Sequence, residues 1–386
     1  MMAMPADATR TPNPGTGLAG ERFSRRNRQD PTDDQTGHGR WFAIDEAGTD
    51  GDQLYGREDR YLVLGGVAVD DVYAAEILRE LRTRARLQAP EIKFQRSFSK
   101  PGDAGRRDVL AEYLAPSGAL AEHTMLYIVD KRYMIAAKLV DLLIEEHYHA
   151  IGIDVVSNGV VRDMAIELAT HGPKAVGDDQ FETLLATTAL FFSKKNRRGD
   201  KVSVDDLYDV YRQAAASARR KKNPAVRRLA DILKLVATRT RPYAEEFAAD
   251  RAQAAVGTSS VVADLDDDLM EPLIPAFTAL VSSASARFGR LDVLADDQRL
   301  LTDEKFDLLD RAIATMTSLR HGHDGHALRG ELVRGRSADH ASLQLADLVS
   351  GAALAATRRI EDASGDQENL DDAVRRLVMP DSLLIP

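Results

Sequence analysis

From Arg40 onward the chain alternates between short apolar runs and longer stretches of helical period. Trp41 to Ile44 and Tyr61 to Val69 (YLVLGGVAV) read as two short buried strands, joined by a polar, glycine-containing segment, GTDGDQLYGRED, that suits a hairpin. The pattern predicts a helix from about Asp71 to Leu87, with Ile77, Leu78 and Leu81 on one face, and another from about Arg106 to Leu114. Between them lies EIKF, which, if extended, puts Glu91 and Lys93 on one side and Ile92 and Phe94 on the other. A strand, HTMLYIVDK, follows. Arg132 to Phe288 is helical in period almost throughout, with breaks at GIDVVSNG, HGPKAVGDD, KKNRRGD and VGTSS. Beyond it come a strand over Arg290 to Asp297, a helix in TDEKFDLLDRAIATM with Thr302 as N-cap, and a strand in ALRGELVRG. The last strong pattern is the helix of SADHASLQLADLVSGAALAATRR, which Ser337 or Asp339 could cap.

This order predicts an α/β core, residues 40–131 and 289–360, interrupted by a mostly helical insertion over 132–288. Residues 1–39, rich in Pro, Gly, Thr, Arg and Asp without a hydrophobic period, are expected to be disordered, and 361–386 to form an acidic tail.

Composition sharpens the picture in three places. The chain has 386 residues, 44% of them hydrophobic, enough for one large domain or two ordinary ones. It has no cysteine, which excludes disulfides and thiolate zinc sites. No continuous apolar segment suggests a signal peptide or a membrane span, so a cytoplasmic protein without a membrane partner is expected. Charge is uneven. Between Lys194 and Arg241, 15 Lys or Arg stand against 5 Asp or Glu, a local +10, which leaves −20 for the remainder of a chain whose net charge is −10. Such asymmetry fits a cationic grip on nucleic acid, with Arg219, Arg220, Lys221, Lys222, Arg227 and Arg228 as the densest part. A solvated helix face is the plainer reading of the same run.

The acids carry the candidate chemistry. Asp45, Asp130 and Asp296 each end an apolar strand, and Glu46 follows Asp45 directly. Each strand-end Asp could instead serve a turn or an ion pair, Asp130 with Lys131 or Arg132. Asp347 is harder to place structurally. It sits among Leu343, Leu345, Leu348 and Leu354, with no Lys or Arg from Asp339 to Thr357, and a buried carboxylate needs a cation, hydrogen bonds or water. Gln344, Asp347 and Gly351 share one helical face, so Asp347 can approach a polar centre over the small glycine. Converging aspartates suit hard divalent cations, Mg2+ or Mn2+, which take oxygen ligands and relieve carboxylate repulsion. Asp45, Asp130, Asp296 and Asp347 are the expected metal ligands. Lys93 reads either as a phosphate contact or as a salt-bridge partner of Glu91. His321, His323 and His326, in the glycine-interleaved RHGHDGH, have no element to fix their directions. The chain lacks GxxxxGK[ST], HExxH and GxSxG motifs, against ATPase, zinc-protease and serine-hydrolase chemistry.

The combination AIDEAG, EIKF, LYIVDK and LQLADLVSG resembles the DUF3800 family, which is similar to ribonuclease H-like proteins. The resemblance runs from about Trp41 to Leu354 and rests on short motifs. It implies a ribonuclease H-like mixed sheet and a metal-dependent, nuclease-type centre at Asp45, Glu46, Glu91, Lys93, Asp130, Gln344 and Asp347. Asp296 is added from its strand-end position. The expected function is hydrolysis of nucleic-acid phosphodiester bonds, in phage defence or mobile-element biology. A catalytically inactive nucleic-acid-binding module is one alternative. A protein-interaction protein docking through the Ala-rich faces of the helical insertion is another.

Overall fold

The computed structural model describes residues 40–48, 60–89, 91–193, 202–255, 269–297, 302–321, 329–361 and 368–384. At its centre is a five-stranded mixed sheet of β1 (Arg40–Ala47), β2 (Tyr61–Val67), β3 (Thr124–Asp130), β4 (Leu291–Asp296) and β5 (Arg329–Gly335), in the order β3-β2-β1-β4-β5. β1 pairs antiparallel with β2, and β2 with β3, whereas β4 runs parallel to β1 and β5 parallel to β4. The antiparallel register of β1 and β2 agrees with a hairpin, whose connection at 49–59 lies outside the described residues.

β2 and β3 are buried along their whole length, since helices cover both faces of the sheet. Ala43, Val63, Ile128 and Leu294 face one helical layer, and Phe42, Leu62, Tyr127 and Val293 face the other. The first layer contains α1 (Asp71–Arg84), the single turn α2 (Phe94–Ser97), α3 (Ala104–Leu114), the long α12 (Ala341–Glu361) and α13 (Glu368–Leu377). The second contains α10 (Leu273–Phe288) and α11 (Asp303–His321). A third hydrophobic cluster, from Tyr133 to Met270, belongs to a block with six main helices among the described residues. These are α4 (Lys131–Leu139), α5 (Val160–Val176), α6 (Asp178–Phe192), α7 (Val204–Arg219), α8 (Pro224–Arg239) and α9 (Arg241–Ala255). α4 continues through a π-helical stretch at Val140–Glu145.

Several expectations are corrected. The strands containing Trp41–Ile44 and Leu126–Val129 are not neighbours, because β2 lies between them. The helical insertion ends near Met270, since α10 packs on the sheet with Phe277, Leu280 and Val281. EIKF is not a strand; an extended Lys93 leads into α2, although Ile92 and Phe94 are buried and Glu91 and Lys93 are not. The C-terminal segment is no acidic tail. Leu370, Ala373 and Val374 of α13 join the core, and the chain after it runs beside β3, bridging Leu126 to Val378 and Val129 to Leu383. That cover matters because β3 is an edge strand with backbone groups to satisfy. The expected disorder of residues 1–39 falls outside the described residues, as do His323 and His326. Among the described residues no helix is long and apolar enough to cross a membrane.

Candidate active site

The acids of β1 and β4 meet at one end of the sheet. The two strands run parallel with Ile44 beside Ala295, so Asp45 and Asp296 occupy adjacent positions, on the face shared with Ala43 and Leu294. α12 lies across the same face, and the sequence at the contact explains how closely. Gly65 is the β2 partner of Asp45, and a Cβ there would stand 2.9 Å from the Ser350 amide nitrogen and 3.1 Å from the Ala346 carbonyl oxygen. A Cβ on Gly351 would stand 2.7 Å from Cβ of Phe94. Two glycines therefore let α12 settle onto β2 and against the start of α2. Asp347, between Ala346 and Ser350, is carried down to the acids of the sheet.

The electrostatics record this convergence. Burial, then the charges of Glu46, Asp296 and Asp347, push the Asp45 carboxyl well above the usual carboxylate range. Burial likewise raises Asp347, to about 6, with Glu91 and Asp296 adding to it and Lys93 opposing. Asp296 is raised mainly by burial, against the amide of Ser337 and the charge of Lys93. Burial works against the Lys93 ammonium, but Asp347, Glu91 and Asp45 raise its pKa on balance. Its nitrogen lies 3.3 Å from Glu91 Oε1, in the field of Asp347, Glu91, Asp45 and Asp296. The Asp347 carboxylate, partly buried, accepts no hydrogen bond from any described residue.

The loop between β5 and α12 ties these groups together through Ser337. Its amide donates to Asp296 Oδ1 (3.1 Å), its hydroxyl to Glu91 Oε1 (3.2 Å), and its carbonyl accepts from Gln344 Nε2 (2.9 Å). Neither Ser337 nor Asp339 caps α12. Asp71, in the first turn of α1, does so from across the layer, accepting from the amide and hydroxyl of Ser342 (2.9 and 2.7 Å) and from His340 Nδ1 (2.8 Å). Burial alone would raise Asp71, but these donors hold it below its ordinary value. An open depression lined by Asp297, Arg334, Gly335, Arg336, Asp339 and His340 adjoins Asp296. No sequence pattern marks Ser337 or Asp71 for these tasks, because their partners lie 246 and 271 residues away.

Two expected members stand apart. Asp130 ends β3, two strands across from Asp45 and four residues farther along than Leu126, the residue level with it, which is about 13 Å along the strand. Its side chain is already engaged. Arg60 donates to both oxygens (Nε–Oδ1 3.0 Å, Nη2–Oδ2 2.5 Å), and the amides of Arg132 and Tyr133 make Asp130 the N-cap of α4. Neither Lys131 nor Arg132 is its ion-pair partner; the Lys131 ammonium instead donates to the Gly48 carbonyl (2.8 Å). Glu46 pairs with Leu64, so alternation places it on the opposite face with Phe42 and Ile44, away from Asp347.

The clustered groups are hard oxygen donors with no thiolate or imidazole among them, a donor set that suits Mg2+ or Mn2+. Their present spacing is loose: among the described residues no three Asp, Glu or His side chains stand together as a ready cation cage. Compared with protein-family models, curated proteins and solved structures, the chain matches none.

Proposed function

We propose that this chain is a metal-dependent nuclease with a ribonuclease H-like core, hydrolysing phosphodiester bonds at the end of β1 and β4. The observation that carries the reading is Asp347, a partly buried carboxylate with no hydrogen-bond donor among the described residues, held beside two further acids of raised pKa. Structure alone gives no reason to assemble three such groups, since each costs stability as an anion. A mixed sheet with an acid-bearing central strand agrees with the same reading.

Asp45, Asp296 and Asp347 are the residues that would hold Mg2+ or Mn2+, which supplies Lewis acidity and a water of lowered pKa when bound. Glu91 is the fourth carboxylate in reach, and Ser337 sets its direction together with that of Asp296. Lys93, once released from part of its anionic company, contacts a non-bridging phosphate oxygen as a point charge. The depression beside Asp296, with Arg334 and Arg336, extends the room for substrate. Asp130 is assigned no part in the reaction.

The loose spacing of the carboxylates favours a second reading, a module of the same fold that binds nucleic acid without cleaving it. One assay separates the two. Wild type and Asp347→Asn are incubated with single- and double-stranded DNA and RNA in Mg2+, in Mn2+ and in EDTA. The nuclease reading expects cleavage by wild type with metal only, and a loss of at least about 100-fold in the variant, on the scale of removing a principal charge-stabilising group. A variant that cleaves at the wild-type rate refutes the assignment.

A further inference from the structure

The helical block carries a second charged feature, unrelated to the acids. Over residues 210–230 there are seven Arg or Lys and no Asp or Glu. The fold gathers six of them at one corner, where α7 ends and α8 begins: Arg219, Arg220, Lys221, Lys222, Arg227 and Arg228 are all exposed. Of these, only Arg228 has an ion-pair partner among the described residues, Glu167 at 3.1 Å. The corner is firmly built. Ala218, Val226 and Leu229 are buried beneath it, and the turn is closed by bonds from the Lys221 amide to the Ala218 carbonyl (3.1 Å) and from the Arg227 amide to the Asn223 carbonyl (3.0 Å).

This concentration is not what helix stability selects. Cations at the end of α7 suit its dipole, but Arg227 and Arg228 lie within the first five residues of α8, where positive charge is unfavourable. Like charges at such density also repel one another. An external polyanion removes both costs.

We infer that the α7–α8 corner is a base-blind anchor for the phosphate backbone of nucleic acid. Two observations select this partner. No aromatic residue occurs between Arg212 and Pro242, and Tyr208 and Tyr211 are fully buried, so among the described residues α7, α8 and their turn present no exposed ring for a base to stack on, which favours contact with the backbone. Nor does it pair its cations with apolar anchors, as membrane-surface helices do; the exposed large hydrophobic residues among those described are Trp41, Val72, Ile151, Ile153, Val156 and Ile360, none of them at the corner. The anchor stands independently of the acidic site, and its test is run with metal chelated so that cleavage plays no part.

Full-length protein in EDTA is titrated into fluorescently labelled duplexes of two unrelated sequences, and into anionic phosphatidylserine vesicles, at several salt concentrations. Both duplexes are expected to bind with equal affinity, which falls steeply with salt, while vesicles bind weakly. The reversal R219E/R220E/K221E/K222E is expected to weaken duplex binding at least about tenfold and to lower the log–log salt slope by about 3 to 4. The neutral variant R227Q/R228Q, which relieves α8 rather than burdening it, is expected to lower the slope by about 2, and circular dichroism checks that both remain helical. Unchanged affinity and slope in the folded neutral variant, a strong preference for one sequence, or binding to vesicles and not to duplex each overturns the anchor. A protein that binds duplex but never cleaves it leaves the anchor standing and removes the proposed hydrolysis.

Discussion

Strands that end on the same side of one sheet treat their aspartates in opposite ways. At the end of β3, Asp130 is almost fully buried and fully answered: Arg60 grips both oxygens and two amides of α4 complete the set. At the ends of β1 and β4, Asp45 and Asp296 face Asp347 across the layer, and all three carboxyls are raised. The first arrangement is what folding demands of a buried acid. The second is what folding avoids unless something else is gained. A carboxylate's environment, more than its place at a strand end, separates a structural acid from a chemical one.

The contrast can be broken by removing what answers Asp130. Arg60→Met leaves a buried carboxylate facing only two amides, and should lower unfolding free energy by about 3 to 5 kcal/mol in urea melts. Asp130→Asn keeps part of the cap, so wherever it remains folded it should retain metal-dependent cleavage, unlike Asp347→Asn. Loss of cleavage in folded Asp130→Asn would return Asp130 to the site.

A smaller effect is expected where α12 meets β2. Gly65→Ala forces a methyl against Ser350 and Ala346, and should cost about 1 to 3 kcal/mol while lifting Asp347 from its neighbours. Mn2+ affinity, measured by calorimetry, should fall with it. A destabilised variant with unaltered affinity would mean that the close approach serves packing alone.

The smallest effect concerns pH. Asp347 titrates near 6 in the folded chain and near 3.8 in the unfolded one, so the folded state holds its proton longer. Stability from this group is fully present below about pH 4 and is lost as pH rises through 6. In EDTA, Asp347→Asn should therefore gain on wild type across that window, reaching on the order of 1 to 2 kcal/mol at pH 7 after allowance for partial exposure. Thermal melts of both proteins from pH 4 to 7 measure the difference. A variant that loses stability at every pH would show that Asp347 anchors the fold.

Much of the framework is legible along the chain. All five strands overlap segments expected to be strands, Thr302 caps α11 through its hydroxyl and the Lys305 amide (3.4 Å), and the alternation of EIKF sorts buried from exposed side chains without a strand. The C-terminal segment reads as an acidic tail because its charge hides a strong helical period: Leu370, Ala373 and Val374 recur on one face of α13. α10 is not separable from the insertion in sequence, because periodicity marks a helix and says nothing of which core it joins.

The sequence by itself determined where most of the strands and helices form, that acids stand at the ends of three apolar runs, and that one helical corner is densely cationic, because these follow from local patterns of polarity and charge. Which acids share a site was decided by strand order and by the docking of α12: β2 inserts between β1 and β3, β4 docks beside β1, and α12 settles over Gly65. Tertiary structure also supplied Arg60 to Asp130, Asp71 to the start of α12, and Ser337 to Asp296 and Glu91. These pairings join segments far apart in the chain, and whether a carboxylate is satisfied or left exposed to its neighbours' charge depends on distances that no local pattern contains.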